Sequence, residues 1–333
     1  MPEIPSLVKA LLKPEIYPHS PKKVELVQTQ MSFLFLTGDY VYKVKKPVDL
    51  GYLDYTTPEK RRFFCQQEIK LNRRLCPDVY LEVVPIISSQ GQIRLGGEGK
   101  TIEYAVKMKQ LPAERMMDKL LPQDKVTEEM VRRVAEKLAA FHDKARTSPA
   151  ISAYGKLEAI MTNTEENFSQ TQKYMGISIS EQQYHRIKDY TNEFLKSNKS
   201  LFQKRVDSGK IRDCHGDLHA AHVCINNGIC IYDCIEFNDR FRYGDVASEI
   251  AFLAMDLDRY RRADLSRAFV NTYVSLSRDK ELLQLLNFYK CYRAYVRGKV
   301  ESFKFDDPYV SDEEKTSVLA AARRYFELAE SYI

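Results

Sequence analysis

The sequence predicts an α+β protein with two lobes, a small β-rich lobe over residues 1–110 and a larger helical lobe over residues 111–333. Short runs of β-branched and aromatic residues fill the first hundred positions, whereas long helical patterns follow from Glu114 onward. The length of 333 residues allows two domains, and a hydrophobic content of 44% is enough to bury a core in each of them.

The N-terminal lobe is predicted from periodicity and turn residues. One helix begins at Pro58, because Thr57 is a capping residue and proline suits the first helical position, and its pattern continues until Pro77. A glycine-rich turn joins Ile93 to a strand over residues 101–108. The other predicted strands cover residues 24–28, 33–36, 41–45 and 79–87.

The C-terminal lobe is predicted to begin near Gln110 and to contain mostly helices. A strand-rich segment over residues 211–237 interrupts the helical pattern. The predicted helices cover residues 128–144, 181–195, 257–276, 281–303 and 313–332.

Charge and hydropathy exclude several classes of protein. The chain has 51 Lys+Arg and 46 Asp+Glu, and the net charge of +5 is too small to indicate nucleic-acid binding. Tyrosines alternate with basic residues over 287–303, which is typical of a helix with one packed and one solvated face. The longest apolar run, 250–255, is far below the roughly 20 residues that span a membrane. Lys9 and Lys13 argue against a signal peptide, so we expect a cytoplasmic protein.

Cysteines and histidines crowd one short segment. Four of the seven cysteines and three of the six histidines lie between positions 214 and 234. An odd cysteine count in a chain of this kind indicates reduced thiols. The spacings lack the paired Cys-x2-Cys of structural zinc sites, so a zinc-binding module is a weaker alternative and Cys224, Cys230 and Cys234 are expected to be small core side chains.

Two carboxylates stand out in this crowded segment. Residues 214–224 read CHGDLHAAHVC and residues 231–236 read IYDCIE, which places Asp217 and Asp233 sixteen positions apart. Phosphoryl transfer uses such a pair, one carboxylate to orient the acceptor hydroxyl and one to hold the metal that bridges the nucleotide phosphates.

The segment resembles the catalytic loop of the aminoglycoside phosphotransferase and choline kinase group of protein-kinase-like enzymes. Their loop runs His-Gly-Asp-Leu-His-x-x-Asn, and their metal-binding aspartate follows on the next hairpin. Residues 235–239 and 244–245 are also similar to a bacterial branch of predicted kinases in that group. The resemblance implies a two-lobed protein-kinase-like fold and transfer of the γ-phosphoryl of ATP or GTP to a hydroxyl of a small molecule. Aminoglycosides, sugars and amino alcohols are the acceptor classes that it implies.

The resemblance also implies roles for residues around the loop. Asp217 corresponds to the base that receives the proton of the acceptor hydroxyl, and Asp233 to the Mg²⁺ ligand. His215 is expected to brace the loop, and Asp245 to tie the backbone of the loop to the next helix. For Glu236, contact with either the metal or the substrate is expected.

Nucleotide-binding residues are implied in the N-terminal lobe. Lys43 corresponds to the lysine that holds the α and β phosphates, and Glu68 fits as its partner. Glu68 interrupts the apolar stripe of its helix, and an unpaired carboxylate would be costly to bury there. Lys45 points to the same strand face as Lys43 and is the alternative partner; a solvated surface pair is the other interpretation.

Two further segments correspond to nucleotide contacts. The backbone groups of Lys109, Gln110 and Leu111 are expected to meet the adenine. The turn over residues 28–32 lacks the glycines of a phosphate-binding loop. We expect the hydroxyls of Thr29 and Ser32 to replace part of that cradle.

One position departs from the family pattern. His222 stands where the family has the asparagine that is its second metal ligand. Mg²⁺ prefers oxygen ligands, whereas imidazole suits Mn²⁺ or Zn²⁺ better. Either the second metal site is altered, with Mn²⁺ as an alternative to Mg²⁺, or the protein is a nucleotide-binding regulator that does not transfer phosphate.

Overall fold

A computed structural model describes residues 5–89, 91–307 and 310–333 and confirms the α+β fold class. The chain forms two compact units. The first, called the sheet unit below, contains Met1–Met116 and Cys224–Asp239. The second, called the helical unit, contains Met117–Val223 and Arg240–Ile333. The lobe boundary after residue 110 stays a prediction about domains.

In the described part of the sheet unit, six antiparallel strands form one sheet in the order β1-β2-β3-β6-β4-β5. Five of them were predicted with bounds, and the observed ends lie within two residues of the predicted ones; β5 was indicated only by Ile93 beside the glycine-rich turn. The strands are β1 Glu25–Gln28, β2 Ser32–Leu36, β3 Tyr40–Lys45, β4 Tyr80–Ser89, β5 Gln92–Leu95 and β6 Lys100–Lys109.

Strand β3 separates two apolar clusters. Tyr42 and Val44 pack on the face that is covered by helix α1, Ser6–Leu11. Val41 packs on the opposite face with Cys65 of helix α2, Pro58–Asn72. Because side chains alternate along a strand, Lys43 and Lys45 lie on the same face as Val41 and point toward α2.

Helix α2 begins where the sequence predicts. The Thr57 side chain accepts a hydrogen bond from the backbone N–H of Lys60 at 3.3 Å, and Pro58 occupies the first helical position. This cap satisfies one of the helix's unpaired N–H groups. The apolar contacts of Cys65 and Ile69 turn this face of α2 toward the sheet, and Glu68 lies between them on the helix.

A disulfide contradicts one of the expectations. Strands β8 Val223–Ile225 and β9 Ile229–Ile231 form a hairpin, and Cys230 of β9 is bonded to Cys76 just beyond α2. The prediction of reduced thiols is wrong for this pair, because the two residues are 154 positions apart and local spacing cannot reveal their contact. The other five cysteines form no disulfide and are all buried: Cys65, Cys214, Cys224, Cys234 and Cys291.

The helical unit is built mainly from long helices. Two short strands, β7 Ile211–Asp213 and β10 Tyr243–Asp245, pair antiparallel beside them. The helices of this part of the chain are α3 Met117–Leu120, α4 Glu128–Lys144, α5 Pro149–Ser152, α6 Leu157–Thr171, α7 Glu181–Ser197, α8 Lys199–Asp207, α9 Asp239–Arg242, α10 Val246–Arg259, α11 Ala263–Ser277, α12 Leu282–Phe305 and α13 Asp312–Glu330.

One predicted helix is wrong. The pattern over 257–276 predicts a single helix, but α10 ends at Arg259 and α11 begins at Ala263. Arg261 between them has a φ of +62°, which breaks the helix without a glycine or proline to signal it. The predicted helices do not include α6 and α8, nor the short helices α1, α3, α5 and α9.

Helix α10 is the centre of the helical unit. Every residue from Val246 to Leu257 is buried, including the six-residue apolar run. Phe252 and Met255 pack in one cluster with Phe168 of α6 and Tyr295 of α12. Among the residues described, no helix is both long and apolar enough to cross a membrane.

Substituting Gly155 tests how the segment before the His-Gly-Asp loop is supported. A Cβ atom at this position would lie 2.2 Å from Ile211 Cγ1 in strand β7. Because Ile211 is 1% exposed and has no room to move, we expect Gly155→Ala to lower the free energy of unfolding by about 1–3 kcal/mol. Thermal unfolding would measure the effect. Gly228→Ala, where the new methyl would make only an ordinary contact with Asn226 O at 3.9 Å, is the control, and equal unfolding temperatures for both variants would contradict the expectation.

Candidate active site

Lys43 holds two carboxylates of the sheet unit. Its Nζ lies 2.8 Å from Glu68 Oε1 and 2.8 Å from Asp233 Oδ1. Glu68 is 0% exposed, so the interpretation as a solvated surface pair is wrong. Burial alone would lower the pKa of Lys43, but Asp233 and Glu68 hold it well above its ordinary value. The ammonium group is therefore charged at neutral pH.

Lys45 contacts Glu68 as well. Its Nζ lies 2.7 Å from Glu68 Oε2, so the two lysines share this carboxylate rather than competing for it. Lys45 also pairs with Glu236 Oε1, and the Tyr55 hydroxyl donates to the same oxygen at 2.7 Å. Burial would raise the pKa of Glu68, but the two ammonium groups keep it below the ordinary value.

The backbone around Asp233 is fixed by side chains from α2 and β4. Asp233 has a φ of +62°, a left-handed conformation that costs free energy unless its surroundings hold it. Its N–H donates to the Tyr80 hydroxyl at 3.2 Å, and the next N–H, of Cys234, donates to Asn72 Oδ1 at 2.8 Å. The Asp233 side chain is 41% exposed, in contrast to Glu68. A solvent-accessible carboxylate is thus presented on a rigid turn.

In the helical unit, Glu249 holds the backbone of the His-Gly-Asp loop. The N–H groups of His215 and Gly216 donate to Glu249 Oε1 at 2.8 and 2.7 Å. Glu249 Oε2 lies 2.7 Å from His142 Nε2, and the other nitrogen of His142 lies 2.8 Å from the Tyr273 hydroxyl. Gly216 has a φ of +92°, which a residue with a side chain rarely adopts, so the loop requires glycine there.

Asp245 has a different role from the one expected. It accepts a hydrogen bond from Ala247 N at 2.8 Å and so caps helix α10. It also binds Arg205 through two nitrogens, at 2.9 and 2.7 Å. Glu249, one turn further along α10, connects the loop backbone to this helix instead. Its side chain accepts the hydrogen bonds from the N–H groups of the loop.

The loop's own histidine lies as expected. His215 is 0% exposed, and its Nδ1 lies 3.3 Å from the backbone N of Asp217. This contact braces the turn that presents the Asp217 carboxylate.

Asp217 has basic groups around it. Its Oδ2 lies 3.6 Å from His219 Nε2 and 3.6 Å from His222 Nδ1, and its side chain is 32% exposed. Desolvation would raise its pKa, but the two histidines, together with Arg297 of α12, hold the pKa well below the ordinary value. Asp217 is therefore ionised at neutral pH.

The segments expected to meet the nucleotide are partly engaged within the sheet. The N–H of Lys109 donates to Val79 O at 2.9 Å, and the N–H of Gln110 donates to Asp39 O at 2.9 Å. The side chain of Gln110 accepts a bond from Gly38 N at 3.1 Å, and Leu111 packs on the apolar cluster of α2. Contact of these three residues with adenine stays a prediction. The N–H groups of Lys109 and Gln110 already donate hydrogen bonds within the sheet unit.

The glycine-free turn is closed by its own side chain. Thr29 Oγ1 accepts hydrogen bonds from Ser32 N at 3.0 Å and Met31 N at 3.3 Å. Ser32 is 2% exposed. The Thr29 hydroxyl therefore holds the turn itself, which weakens the expectation that it replaces a phosphate cradle.

Glu249 and Tyr55 are two of the site residues that the sequence analysis did not identify. Glu249 shows the same sequence signal as Glu68, because each is a carboxylate that interrupts an apolar helix pattern. Tyr55 lies in an irregular segment before α2, and nothing in the sequence around it indicates its partner.

Comparison with known proteins identifies the family. The model described as "Phosphotransferase enzyme family" matches residues 64–286, which include Glu68, Asp217, Asp233 and Glu249. The chain belongs to this phosphotransferase family. The resemblance inferred from the sequence is thereby confirmed.

Relatives and solved structures agree with this assignment. Uncharacterised proteins of Mycobacterium bovis and Mycobacterium tuberculosis are 31% identical over 283 residues, or 85% of this chain and 55% of theirs, so the chain spans about half their length. A choline/ethanolamine kinase family protein from Mesorhizobium loti has a TM-score of 0.52 at 11% identity, covering 98% of this chain and 99% of its own. An ethanolamine kinase from Plasmodium vivax has a TM-score of 0.50 at 10% identity, covering 90% and 81%. The phosphotransferase family member described here therefore has the protein-kinase-like fold that was predicted.

The pairing of Glu249 gives a pH-dependent prediction. Burial would raise its pKa, but His142, His215 and the Gly216 N–H lower it to about 2. A depressed pKa contributes stability above the unfolded value of about 4.3, and this stability is lost as the pH falls through the folded value. We expect Glu249→Gln to cost about 3 kcal/mol at pH 7, with the difference from wild type shrinking between about pH 5 and 2.

Urea unfolding at several pH values would measure this difference. The control is Glu327→Gln, because Glu327 is exposed on α13 and its substitution should change stability little. A difference for Glu249→Gln that stays constant down to pH 3 would contradict the prediction.

Proposed function

We propose that the chain transfers the γ-phosphoryl group of ATP or GTP to a hydroxyl of a small molecule, with Asp217 as the group that accepts the hydroxyl's proton. The proposal rests on the ionisation, exposure and backbone support of Asp217. Its carboxylate is ionised, partly exposed and mounted on a loop whose backbone is fixed by the buried Glu249. A carboxylate held in this way can orient and deprotonate an incoming hydroxyl.

Lys43 is proposed to bind the α and β phosphates of the nucleotide. Glu68 and Asp233 keep its ammonium charged and hold it in one position, while 14% of its side chain stays accessible. A fixed cation of this kind stabilises phosphate charge without reorganising when the substrate binds.

Asp233 is proposed to hold the Mg²⁺ ion. It offers accessible carboxylate oxygens, which Mg²⁺ prefers, and the phosphates and water would supply the other ligands. Glu236 fits this role less well, because it is 9% exposed and its Oε1 is engaged by Lys45 and Tyr55. When bound, the ion would neutralise negative charge on the phosphates.

The ion pairs of the acidic residues indicate which class of acceptor the protein should prefer. The acidic residues that could meet a cationic acceptor each have a basic partner: Glu165 with Lys188, Glu166 with Arg240, Asp256 with Arg259 and Asp258 with Lys290. Because an amino group of an acceptor would have to displace one of these partners, we expect uncharged sugars to be better acceptors than aminoglycosides or amino alcohols.

A second function has one specific observation in its favour. His222 occupies the position at which the family carries a metal-binding asparagine, and its ring lies against Asp217. A protein with this change could bind nucleotide without transferring phosphate. Release of ADP in the presence of an acceptor separates this alternative from the enzyme.

Asp217→Asn tests the proposed function. We expect ADP release in a coupled assay, with ATP or GTP and a panel of sugars, amino sugars and amino alcohols, to fall by about 10²–10⁴-fold because the base is lost. The thermal shift that ATP causes should survive. Asp189→Asn on the exposed face of α7 is the matched control. Equal transfer by Asp217→Asn and wild type would refute the role of Asp217.

The two lysines of β3 provide a second test, because they share a strand face but differ in their partners. Lys43→Met leaves Glu68 paired with Lys45, so we expect at least a tenfold rise in KM for ATP with little loss of stability. Lys45→Met leaves Glu236 without its cation and should cost about 3–5 kcal/mol of unfolding free energy. Steady-state kinetics and thermal unfolding of both variants would show the two effects separated; the reverse pattern would contradict this assignment.

A further inference from the structure

Asp217, His219 and His222 form a compact group of metal-ligating side chains in the helical unit. One ligand atom from each lies within 4.8 Å of the others, and both histidine rings approach the same carboxylate oxygen to 3.6 Å. The ring centroids of the two histidines are 4.1 Å apart. Ligand atoms of a tetrahedral zinc site, at about 2.0–2.1 Å from the metal, lie about 3.3 Å from one another, so only small movements separate this group from a coordinating arrangement.

His222 has one contact that metal binding would change. Its Nδ1, the nitrogen that lies near the Asp217 carboxylate, also lies 2.8 Å from the backbone carbonyl oxygen of Asp217, to which it can only donate. Coordination of a metal through Nδ1 therefore requires the loss of this hydrogen bond, and Nε2 then carries the N–H of the neutral ring. Metal binding at this position competes with the hydrogen bond that holds the ring in the metal-free protein.

The segment that carries the three side chains is held in place independently of any ion. Ala220 N donates to Asp256 Oδ2 of α10 at 2.9 Å, and His222 N donates to His219 O at 2.9 Å. Asp256 is itself fixed by Arg259 at 2.7 Å. A preformed backbone lowers the cost of bringing ligands together around a metal.

We propose that Asp217, His219 and His222 bind a divalent transition-metal ion of the Zn²⁺ class. Two imidazoles and one carboxylate, with a fourth position open, are a donor set of catalytic-type zinc sites and are poorly suited to Mg²⁺, which requires mostly oxygen ligands. Arg297 adds positive charge beside Asp217, so the bonds to imidazole nitrogen must supply much of the affinity. The group differs in all its ligands from the Asp233 site and uses none of the cysteines.

Occupancy of this site has a consequence that rests on the proposed function. A carboxylate bound to the ion is not available to accept the proton of an acceptor hydroxyl. Zn²⁺ therefore inhibits transfer at saturating Mg²⁺ and ATP, and metal binding itself requires no nucleotide.

Titration of the full chain with Co²⁺ in the absence of nucleotide tests the site, because Co²⁺ in such a donor set has visible d–d absorption. We expect one saturable band per chain that Zn²⁺ displaces and Mg²⁺ does not. His222→Asn should weaken binding by about 10–100-fold. His185→Asn, on the exposed face of α7, should bind like wild type. Circular dichroism would establish that both variants are folded.

The absence of a saturable band, or equal Co²⁺ affinity in His222→Asn and wild type, would overturn the site. Zn²⁺ inhibition of ADP release, relieved in His222→Asn, is the expected outcome of the second measurement. A chain that binds Co²⁺ as expected but transfers phosphate to no acceptor would refute the proposed function and leave the metal site standing.

Discussion

The geometry of the sheet unit depends on one buried carboxylate, Glu68. An unpaired carboxylate in this position would cost several kcal/mol, so the helix can pack on the sheet only if cations meet it there. Lys43 and Lys45 both do so, and each extends the contact to a residue after the β8–β9 hairpin, Asp233 or Glu236. Lys43, which neutralises the buried Glu68 carboxylate, therefore also holds the exposed Asp233 carboxylate in position.

The helical unit repeats this principle with Glu249. There the buried carboxylate is satisfied by backbone N–H groups and a histidine instead of two lysines. In each unit a buried carboxylate on a helix, Glu68 or Glu249, is held by several partners. The aspartate that it helps to position has a partly exposed side chain, 41% for Asp233 and 32% for Asp217. The side chains with the most contacts are the buried carboxylates, whereas the accessible aspartates are the ones proposed to meet the metal and the substrate, as preorganised electrostatic catalysis requires.

The limits of prediction from the sequence have physical causes. The strands and α2 follow from alternation and capping, and the His-Gly-Asp loop from its motif, because these signals are local. The break at Arg261 carries no glycine or proline and is decided by tertiary packing. Strand alternation places Lys43 and Lys45 on one face but cannot say which meets Glu68; in the structure both do. The backbone tie was expected of Asp245 from the family resemblance, which does not show which N–H groups each carboxylate reaches.

The Cys76–Cys230 disulfide gives the sheet unit a covalent connection that the polypeptide itself does not provide. That unit is assembled from two stretches of chain, and the 107 residues of Met117–Val223 run through the helical unit between them. A bond across 154 positions restricts the unfolded chain, an effect of about 5 kcal/mol in the chain-entropy description. It also means that a cut anywhere between positions 76 and 230 would leave the segment bearing Asp233 attached to α2. Under oxidising conditions the sheet unit would behave as one molecule even when its backbone is severed.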